Sequence, residues 1–493
     1  MISAMSLREL LADFAPALDE AATGRGITGI TEDSRQVTAG GLFVAVQGAA
    51  ADGHAHAQAA VARGAAAVVA ERPIAGLAVP VVVVPELRAR RGALAARFYR
   101  HPGERLFCVG VTGTNGKTSI AHYLADLASR LERPAGYLGT IGWGRIDQLQ
   151  PARLTTEDPI TVQQRLASLV EQGCRWAVLE VSSHALAQER VSDVPFRAAV
   201  FSNLSRDHLD YHQSLEQYAA AKARLFQWPG LELAVLNVDD PFGLELSRTL
   251  PAGAQCLSYG RGAGRSGAAP DVCWSGLDFS SGVAAGVWHT PWGEAPLCLP
   301  VQAEFSVANM AAALALLCHS GVALDDVVAA ARSLRSVPGR MERFSAPGAA
   351  TLVVDFAHTP DALEQALLAL RPATRGKLVC VFGCGGDRDT GKRPLMAAAA
   401  ERHADELWLT SDNPRSEDPL DIIADMRAGL SGLAAARTCA DRRDAIAGAL
   451  AAAGPGDVVL VAGKGHEDYQ EIRGERRPFS DRALAAELLG GAR

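Results

Sequence analysis

Runs of Val, Leu and Ala alternate along most of the chain with Ala/Leu-rich stretches of helical period. Strands that are apolar on both faces need cover on both faces, so the pattern predicts an α/β protein with largely parallel sheets. A first block, residues 1–102, carries the strands GLFVAV, AAAVVA and VPVVVV and a helix from Leu87 to Tyr99, broken by His101-Pro102-Gly103. A second block, 103–339, opens on the apolar strand Leu106 to Val111. It includes a Gly/Arg/Ser-rich loop, Gly260 to Pro270, and Gly-punctuated strands around Trp274, Trp288 and Trp292 that read as hairpins. A third block, 340–493, places the strands TLVVDF, KLVCVFG, ADELWLTS and DVVLVAG between helical segments, a Rossmann-like order. At roughly 150 residues per domain, three domains are expected.

Composition narrows the class. A net charge of -7 disfavours a nucleic-acid partner, which needs a basic surface. The nine cysteines lack C-x-x-C spacing and fit reduced thiols in the cytoplasm. Arg8, Glu9 and Asp13 interrupt any signal-peptide core, and no apolar run approaches the roughly 18 residues of a membrane span. A soluble, cytoplasmic protein is expected.

The sharpest chemical feature is LFCVGVTGTNGKTS. A buried strand ends at Val111, a loop runs through Gly113, Thr114, Asn115 and Gly116, and Lys117, Thr118 and Ser119 start an amphipathic helix. Glycines let backbone N–H groups approach phosphates, and a helix N-terminus adds about half a positive charge to hold them. Lys117 would neutralise the β- and γ-phosphates, and the Thr118 hydroxyl would bind Mg²⁺. Val111 stands where the strict phosphate-loop pattern has its first glycine. The loop predicts ATP binding and does not name a reaction.

Further polar clusters fall at strand ends, where α/β proteins place their sites. AVLEVSSH carries Glu180 and Ser182, and VFSNLSRDHLDYH carries Asn203, Arg206, Asp207 and His208. A carboxylate and an imidazole near a nucleotide read as Mg²⁺ ligands, but Glu180 or His208 taken alone reads better as an ordinary surface group. In SLEQYAAAKARLF, Leu215, Tyr218, Lys222 and Leu225 fall on one helical face. By spacing alone Lys222 buries its stem and snorkels its ammonium to water.

Taken together, the segments GVTGTNGKTS, TTED, LEVSSHAL, FSNLSRDHLDYH, VPGRME, VVDFAHTPDAL, VFGCGGDRDTGKRP, DNPR and VAGKGHEDYQ resemble, in order, the Mur ligase family. That family builds the peptide stem of peptidoglycan, serving cell-wall biogenesis, cell shape and division. The resemblance implies a central P-loop ATPase-like domain, a C-terminal Rossmann-like domain, and an ATP- and Mg²⁺-dependent ligase working through an acyl phosphate. It also implies small-molecule substrates; no nucleic acid and no membrane insertion are expected from charge and from the short apolar runs, and a monomer is expected. Domain closure would exclude water from the acyl phosphate. By this resemblance Thr118, Glu180, His208 and Lys222 hold magnesium, Lys222 as its N6-carboxy (carbamate) derivative. A desolvated lysine, with its lowered pKa, suits that modification. Lys117, Lys222, Glu180 and His208 are then the catalytic set, and Asn309, Arg340 and Asp355 join residues 113–119 around ATP. His358 lies in the same motif as Asp355 without an assigned role. Ser306 departs from the Asn common there.

The same resemblance assigns the uridine-linked substrate to Glu32, Ser34, Ala49, Ala50 and Ala51, with Arg35 nearby, and its muramoyl-peptide part to Thr155, Thr156, Ser182, Gln188 and Arg190. Glu32 and the three alanines depart from the usual residues there, so backbone contacts must do more. Arg388 with Asp412, Asn413, Pro414 and Arg415 resembles the form that adds meso-diaminopimelate. Gly463 and Glu467 would hold the zwitterionic end. A guanidinium pairs with the second carboxylate of diaminopimelate and opposes the ammonium of lysine. In isolation DNPR reads as an Asx-Pro turn with an exposed arginine. A lysine-adding ligase, a folylpolyglutamate synthetase, a motor ATPase and a non-catalytic nucleotide-binding scaffold are the rival readings.

Overall fold

The computed structural model describes residues 4–15, 24–48, 51–262, 269–280, 282–432 and 434–490. Ala49, Ala50 and residues 263–268 of the Gly/Arg/Ser-rich loop lie outside these. The chain divides into two compact units, one of residues 1–110, 133–199 and 227–232, the other of 111–132, 200–226 and 233–493.

In the first unit, four parallel strands lie in the order Gly29–Thr31, Gly41–Ala45, Ala67–Ala70 and Val81–Val83. Gly41–Ala45 and Ala67–Ala70 are buried at every position, so both faces are covered, as their unbroken apolar sequence demands. Leu42, Val44 and Val69 pack with Leu87, Leu94 and Phe98 of the helix Leu87–Phe98. Each such side chain contributes about 1.5–3 kcal/mol by burial. The same unit pairs Trp176–Glu180 with Ala135–Gly139 in parallel, and Ala135–Gly139 with Gly142–Gly144 antiparallel. Helix Pro159–Glu171 starts on Asp158, whose carboxylate accepts from Thr161 N–H, with Pro159 at the first helical position.

In the second unit, the helix Lys117–Arg130 packs against Glu304–His319. The latter is apolar on nearly all sides and correspondingly buried. The tryptophan-bearing segment forms three antiparallel strands, Cys273–Asp278, Ala284–Thr290 and Gly293–Leu299, with Trp274 opposite Trp288 and Trp292 in the turn. A six-stranded sheet runs in the order Glu342–Phe344, Thr351–Asp355, Val458–Ala462, Leu378–Phe382, Glu406–Leu409, Ala435–Thr438. Only its first pair is antiparallel. One face packs on the helices Pro360–Leu370, Lys392–His403 and Pro419–Arg427, the other on Arg442–Ala452 and Asp481–Leu488. This is the expected Rossmann-like layering, with two edge strands added. Chemistry in such a sheet belongs at the carboxyl ends of the parallel strands.

Candidate active site

In the second unit the loop after Thr112 is tied down on several sides. Asn115 N–H donates to Asn203 Oδ1 at 2.9 Å, Asn203 Nδ2 donates to Asn115 O at 3.1 Å, and Thr114 N–H donates to Asn203 O at 2.8 Å. Gly116 caps the helix with φ +84°, and a β-carbon there would sit 2.6 Å from Asn309 Oδ1. The glycine is therefore required both by conformation and by the close approach of Asn309. Lys117 Nζ donates to the carbonyls of Gly113 and Thr114 at 2.9 and 2.8 Å. Thr118 and Ser119 are buried in the first helical turn.

Lys222 does not snorkel. Its side chain is 1% exposed, and its Nζ donates to Gly113 O at 2.7 Å, so the lysine reaches the phosphate loop itself. Burial, reinforced by the charge of Lys117, holds its pKa well below the usual lysine range despite the opposing pull of Asp207. An amine so placed is poised in the neutral, nucleophilic form. Leu215 of the same predicted face is exposed instead.

Of the residues that the resemblance assigns to ATP, Asn309 and Arg340 reach this loop. Arg340 Nη2 donates to Thr118 Oγ1 at 2.9 Å, and the guanidinium lies 4.3 Å over the Phe356 ring. Asp355 accepts from Met341 N–H at 2.7 Å and Ala357 N–H at 2.8 Å. Burial raises the Asp355 carboxyl's pKa against these donors and Arg340. Asp207 is a hub: its Oδ2 lies 3.3 Å from His208 Nε2 and 3.8 Å from His358 Nε2. Burial pushes Asp207 up, but His358, His208, Lys392 and Lys117 together hold it below the usual carboxylate range. His358 Nδ1 faces Phe356 O at 2.8 Å, which sets the other ring nitrogen toward Asp207.

At the carboxyl ends of the six-stranded sheet, DNPR is no exposed turn. Asp412 and Asn413 are buried, and Asn413 Nδ2 donates to Glu467 Oε2 at 2.9 Å. Lys464, fully buried, donates to Asn413 Oδ1 at 3.1 Å and Glu467 Oε2 at 2.8 Å. Gly463, with φ +116°, leaves room for Asp412, whose Oδ2 would lie 2.5 Å from a β-carbon there. Pro414 leads into Arg415, whose Nη1 donates to Gly386 O at 2.5 Å. Arg415 Nη1 and Arg388 Cγ lie 2.9 and 3.8 Å from where a side chain on Gly385 would begin. Two guanidinium-bearing residues and the Glu467 carboxylate therefore border one strand-end region.

In the first unit, Glu180 is 1% exposed. Its Oε1 accepts from the Tyr137 hydroxyl and, at 2.9 Å, from Thr140 N–H, and its Oε2 from Thr140 Oγ1 at 3.1 Å. With its proton given to Glu180, Thr140 Oγ1 can accept from the Thr155 hydroxyl, 3.1 Å away. Thr156 Oγ1 donates to Glu180 O at 2.8 Å and accepts from Ser182 N–H at 3.1 Å. Arg190 donates to Thr156 O at 2.8 Å and to Gln188 Oε1 at 2.6 Å. Thr155, Thr156, Ser182, Gln188 and Arg190 thus form one cluster beside Glu180. Glu32 pairs with Arg91 at 3.1 Å and borders a cleft of about 810 Å³. Burial raises Glu32's pKa, while Arg91 and Arg190 draw it down. Ser34 starts a short 3-10 turn capped by Asp33, and Ala51 is exposed.

Sequence models of Mur ligases match residues 26–99 (Mur ligase family, catalytic domain), 111–317 (Mur ligase middle domain) and 339–465 (Mur ligase, glutamate ligase domain). The chain is 46% identical over 476 residues to the UDP-N-acetylmuramoyl-L-alanyl-D-glutamate--2,6-diaminopimelate ligase of Ectopseudomonas mendocina, covering 96% of this chain and 97% of the relative. It is 47% identical to the Pseudomonas aeruginosa protein of the same name, covering 93% and 95%. A solved structure of a ligase with that name superposes with a TM-score of 0.68 at 38% identity, covering 99% of each chain.

The chain belongs to the Mur ligase family.

For a Mur ligase chain, several site-building residues escaped sequence reasoning. Asn203, which shapes the phosphate loop, and the hub Asp207 lie in FSNLSRDHLDYH, and nothing in that segment alone assigns them these roles. Tyr218, whose hydroxyl lies 3.2 Å from Thr114 Oγ1, carries no signal beyond helical periodicity, and Lys392, which donates to His358 O at 3.1 Å, lies in VFGCGGDRDTGKRP with no role legible there. Lys464, between two glycines in VAGKGHED, stood in a quoted motif without a role. It is fully buried, with Asn413 and Glu467 as its partners.

Proposed function

We propose that this Mur ligase is the ATP-dependent enzyme that joins meso-diaminopimelate to UDP-N-acetylmuramoyl-L-alanyl-D-glutamate in cytoplasmic peptidoglycan precursor synthesis. The observation that carries the choice of amine is the strand-end region where Arg388 and Arg415 flank Gly385 near the Asn413–Lys464–Glu467 cluster. A guanidinium offers a bidentate, charge-assisted grip on the distal carboxylate, and Glu467 offers a counter-charge to an amino group. The name shared by the relatives at 46–47% identity supports the same reading.

Residues 113–119 cradle the ATP phosphates; the Thr114 and Asn115 N–H groups are given to Asn203, and the N-terminus of the helix that starts at Lys117 supplies the fixed positive end. Lys117 exchanges the Gly113 and Thr114 carbonyls for phosphate oxygens, and Asn309, Arg340 and Asp355 border the nucleotide. The γ-phosphoryl group passes to an oxygen of the glutamyl carboxylate and ADP leaves. The amine of diaminopimelate attacks the acyl carbon, loses a proton, and inorganic phosphate departs as the amide forms. Thr155, Thr156, Ser182, Gln188 and Arg190 hold the muramoyl peptide, and the segment with Glu32, Ser34 and residues 49–51 takes the uridine end.

Thr118, Glu180, His208 and Lys222, the last as its carbamate, are the proposed Mg²⁺ ligands. The donor chemistry fits: hydroxyl and carboxylate oxygens suit a hard cation, and the buried Lys222 amine is suited to carbamylation. Among the described residues no three His, Cys, Asp or Glu side chains form a metal site alone. The proposed set contains only two of those, with a hydroxyl and a modified lysine completing it. When bound, magnesium neutralises charge on the phosphate oxygens during transfer.

We also propose three domains, 1–102 for the UDP-substrate, 103–339 for ATP and 340–493 for the amino acid, acting as a monomer. All nine cysteines are free, and no helix among the described residues is long and apolar enough to cross a membrane. The reaction is tested with ¹⁸O in the glutamyl carboxylate of the UDP-dipeptide. One ¹⁸O should appear in the released phosphate per amide formed; its absence would exclude the acyl phosphate.

A further inference from the structure

Arg442 opens the helix Arg442–Ala452, where an arginine would ordinarily face water. Its side chain is instead 0% exposed. Its guanidinium makes four contacts. Nε and Nη2 donate to Asp481 Oδ1 and Oδ2 at 2.9 and 2.7 Å, Nη2 also to Ala462 O at 2.9 Å, and Nη1 to Ser411 O at 3.1 Å. Asp481, equally buried, opens the helix Asp481–Leu488 and holds the guanidinium in one orientation.

The two carbonyls matter because of where they lie. Ala462 ends the strand Val458–Ala462, and Ser411 follows the strand Glu406–Leu409. These strands are not neighbours: each pairs with Leu378–Phe382, which lies between them, so no ladder hydrogen bond joins them. Immediately beyond Ser411 come Asp412, Asn413 and Arg415; immediately beyond Ala462 come Gly463, Lys464 and Glu467. The guanidinium thus bridges the bases of the two segments assigned to the amino-acid pocket, below the Asn413–Glu467 and Lys464–Asn413 bonds that join them at the top.

We infer that Arg442, oriented by Asp481, is a positioning residue for diaminopimelate, setting the separation of the 412–415 and 463–467 segments without touching the substrate. This rests on the assignment of that pocket to the amino acid. A planar fork with five donors can serve a carboxylate and two carbonyls at once; a lysine ammonium has three donors at one point and cannot span them. Loosening the support of a site by a fraction of an ångström is felt in binding and rate although every contacting residue remains.

The test uses the full-length enzyme as Arg442→Lys, and as the double variant Arg442→Met/Asp481→Leu, which leaves no unpaired buried charge. Steady-state rates are measured with each of the three substrates varied in turn, alongside thermal unfolding. The expected result is a rise of about tenfold in KM for meso-diaminopimelate, with KM for ATP and for the UDP-dipeptide within about twofold of wild type. Unchanged KM for diaminopimelate in the double variant overturns the inference. So does a parallel loss with all three substrates that tracks a lowered Tm, because that is what a purely structural role produces. Failure of the wild type to couple diaminopimelate overturns the pocket assignment itself, and is read on a different protein from the variants.

Discussion

Replacing Asn203 by alanine tests whether the phosphate loop is held in a binding-ready shape from outside. The substitution keeps the backbone bond from Thr114 N–H to Asn203 O and removes both side-chain bonds to Asn115. One orphaned group, Asn115 O, retains the Ser202 hydroxyl at 2.5 Å; the other, Asn115 N–H, loses the Asn203 Oδ1 acceptor that holds it at 2.9 Å. At about 1 kcal/mol net per neutral hydrogen bond, with part of the acceptor's loss covered by Ser202, the loop loses about 1–2 kcal/mol of support. The loop must adopt this shape to bind phosphates, so that cost falls on ATP binding. It corresponds to a rise of about 5- to 30-fold in KM for ATP. Phosphate release measured against ATP concentration, with the other substrates saturating, reads the effect directly. KM for diaminopimelate should hardly move. An ATP KM within twofold of wild type, in a variant of unchanged Tm, would refute the idea that Asn203 pre-shapes the loop.

Arg415→Ala should lower kcat/KM for meso-diaminopimelate by about 10- to 100-fold, the worth of a charge-assisted hydrogen bond. The backbone bonds from Arg415 N–H to Glu471 O and from Arg473 N–H to Arg415 O survive the change, so unaltered kinetics would contradict the side chain's role. Lys222→Ala should abolish activity, and added short carboxylates should restore part of it; no rescue at any concentration counts against a carbamate. Asp193 tests the electrostatics of the first unit. Burial pushes its carboxyl up to about 6, and its Oδ2 finds no partner among the described residues. A carboxyl with a raised folded pKa is ionised at a cost, present above about pH 6 and lost as pH falls toward its unfolded value near 4. Asp193→Asn should therefore stabilise the protein by about 1–2 kcal/mol at pH 7.5, after allowance for solvent screening, and by little at pH 4.5. Equal gains at both pH values, seen in thermal unfolding, would refute that assignment.

Much of the fold was legible because burial on both faces leaves unbroken apolar runs. Thr351–Asp355, Leu378–Phe382, Glu406–Leu409 and Val458–Ala462 all lie inside segments read as strands from sequence. The edge strand Ala435–Thr438, reading AART and mostly exposed, carries neither an apolar run nor alternation, so nothing in the sequence marks it. The phosphate loop was legible as a local motif, since its glycines, lysine and helix start adjoin in the chain. Lys222 shows the limit of periodicity: helical spacing put it on an apolar stripe, yet only the fold reveals that it reaches Gly113 O rather than water. Arg442 and Asp481 were silent for the same reason. Their significance lies in partners 20 to 39 residues away along the chain, a separation that no local pattern encodes.

The most direct test of the central claim is phosphate release from ATP and UDP-N-acetylmuramoyl-L-alanyl-D-glutamate in the presence of meso-diaminopimelate, of lysine, or of no amine. Turnover should be sustained with diaminopimelate and at least about tenfold slower with lysine, the discrimination expected when a guanidinium meets an ammonium in place of a carboxylate. It should be near background with neither. Equal rates with lysine would contradict the reading of Arg388 and Arg415, and sustained release without any amine would contradict the ligase itself.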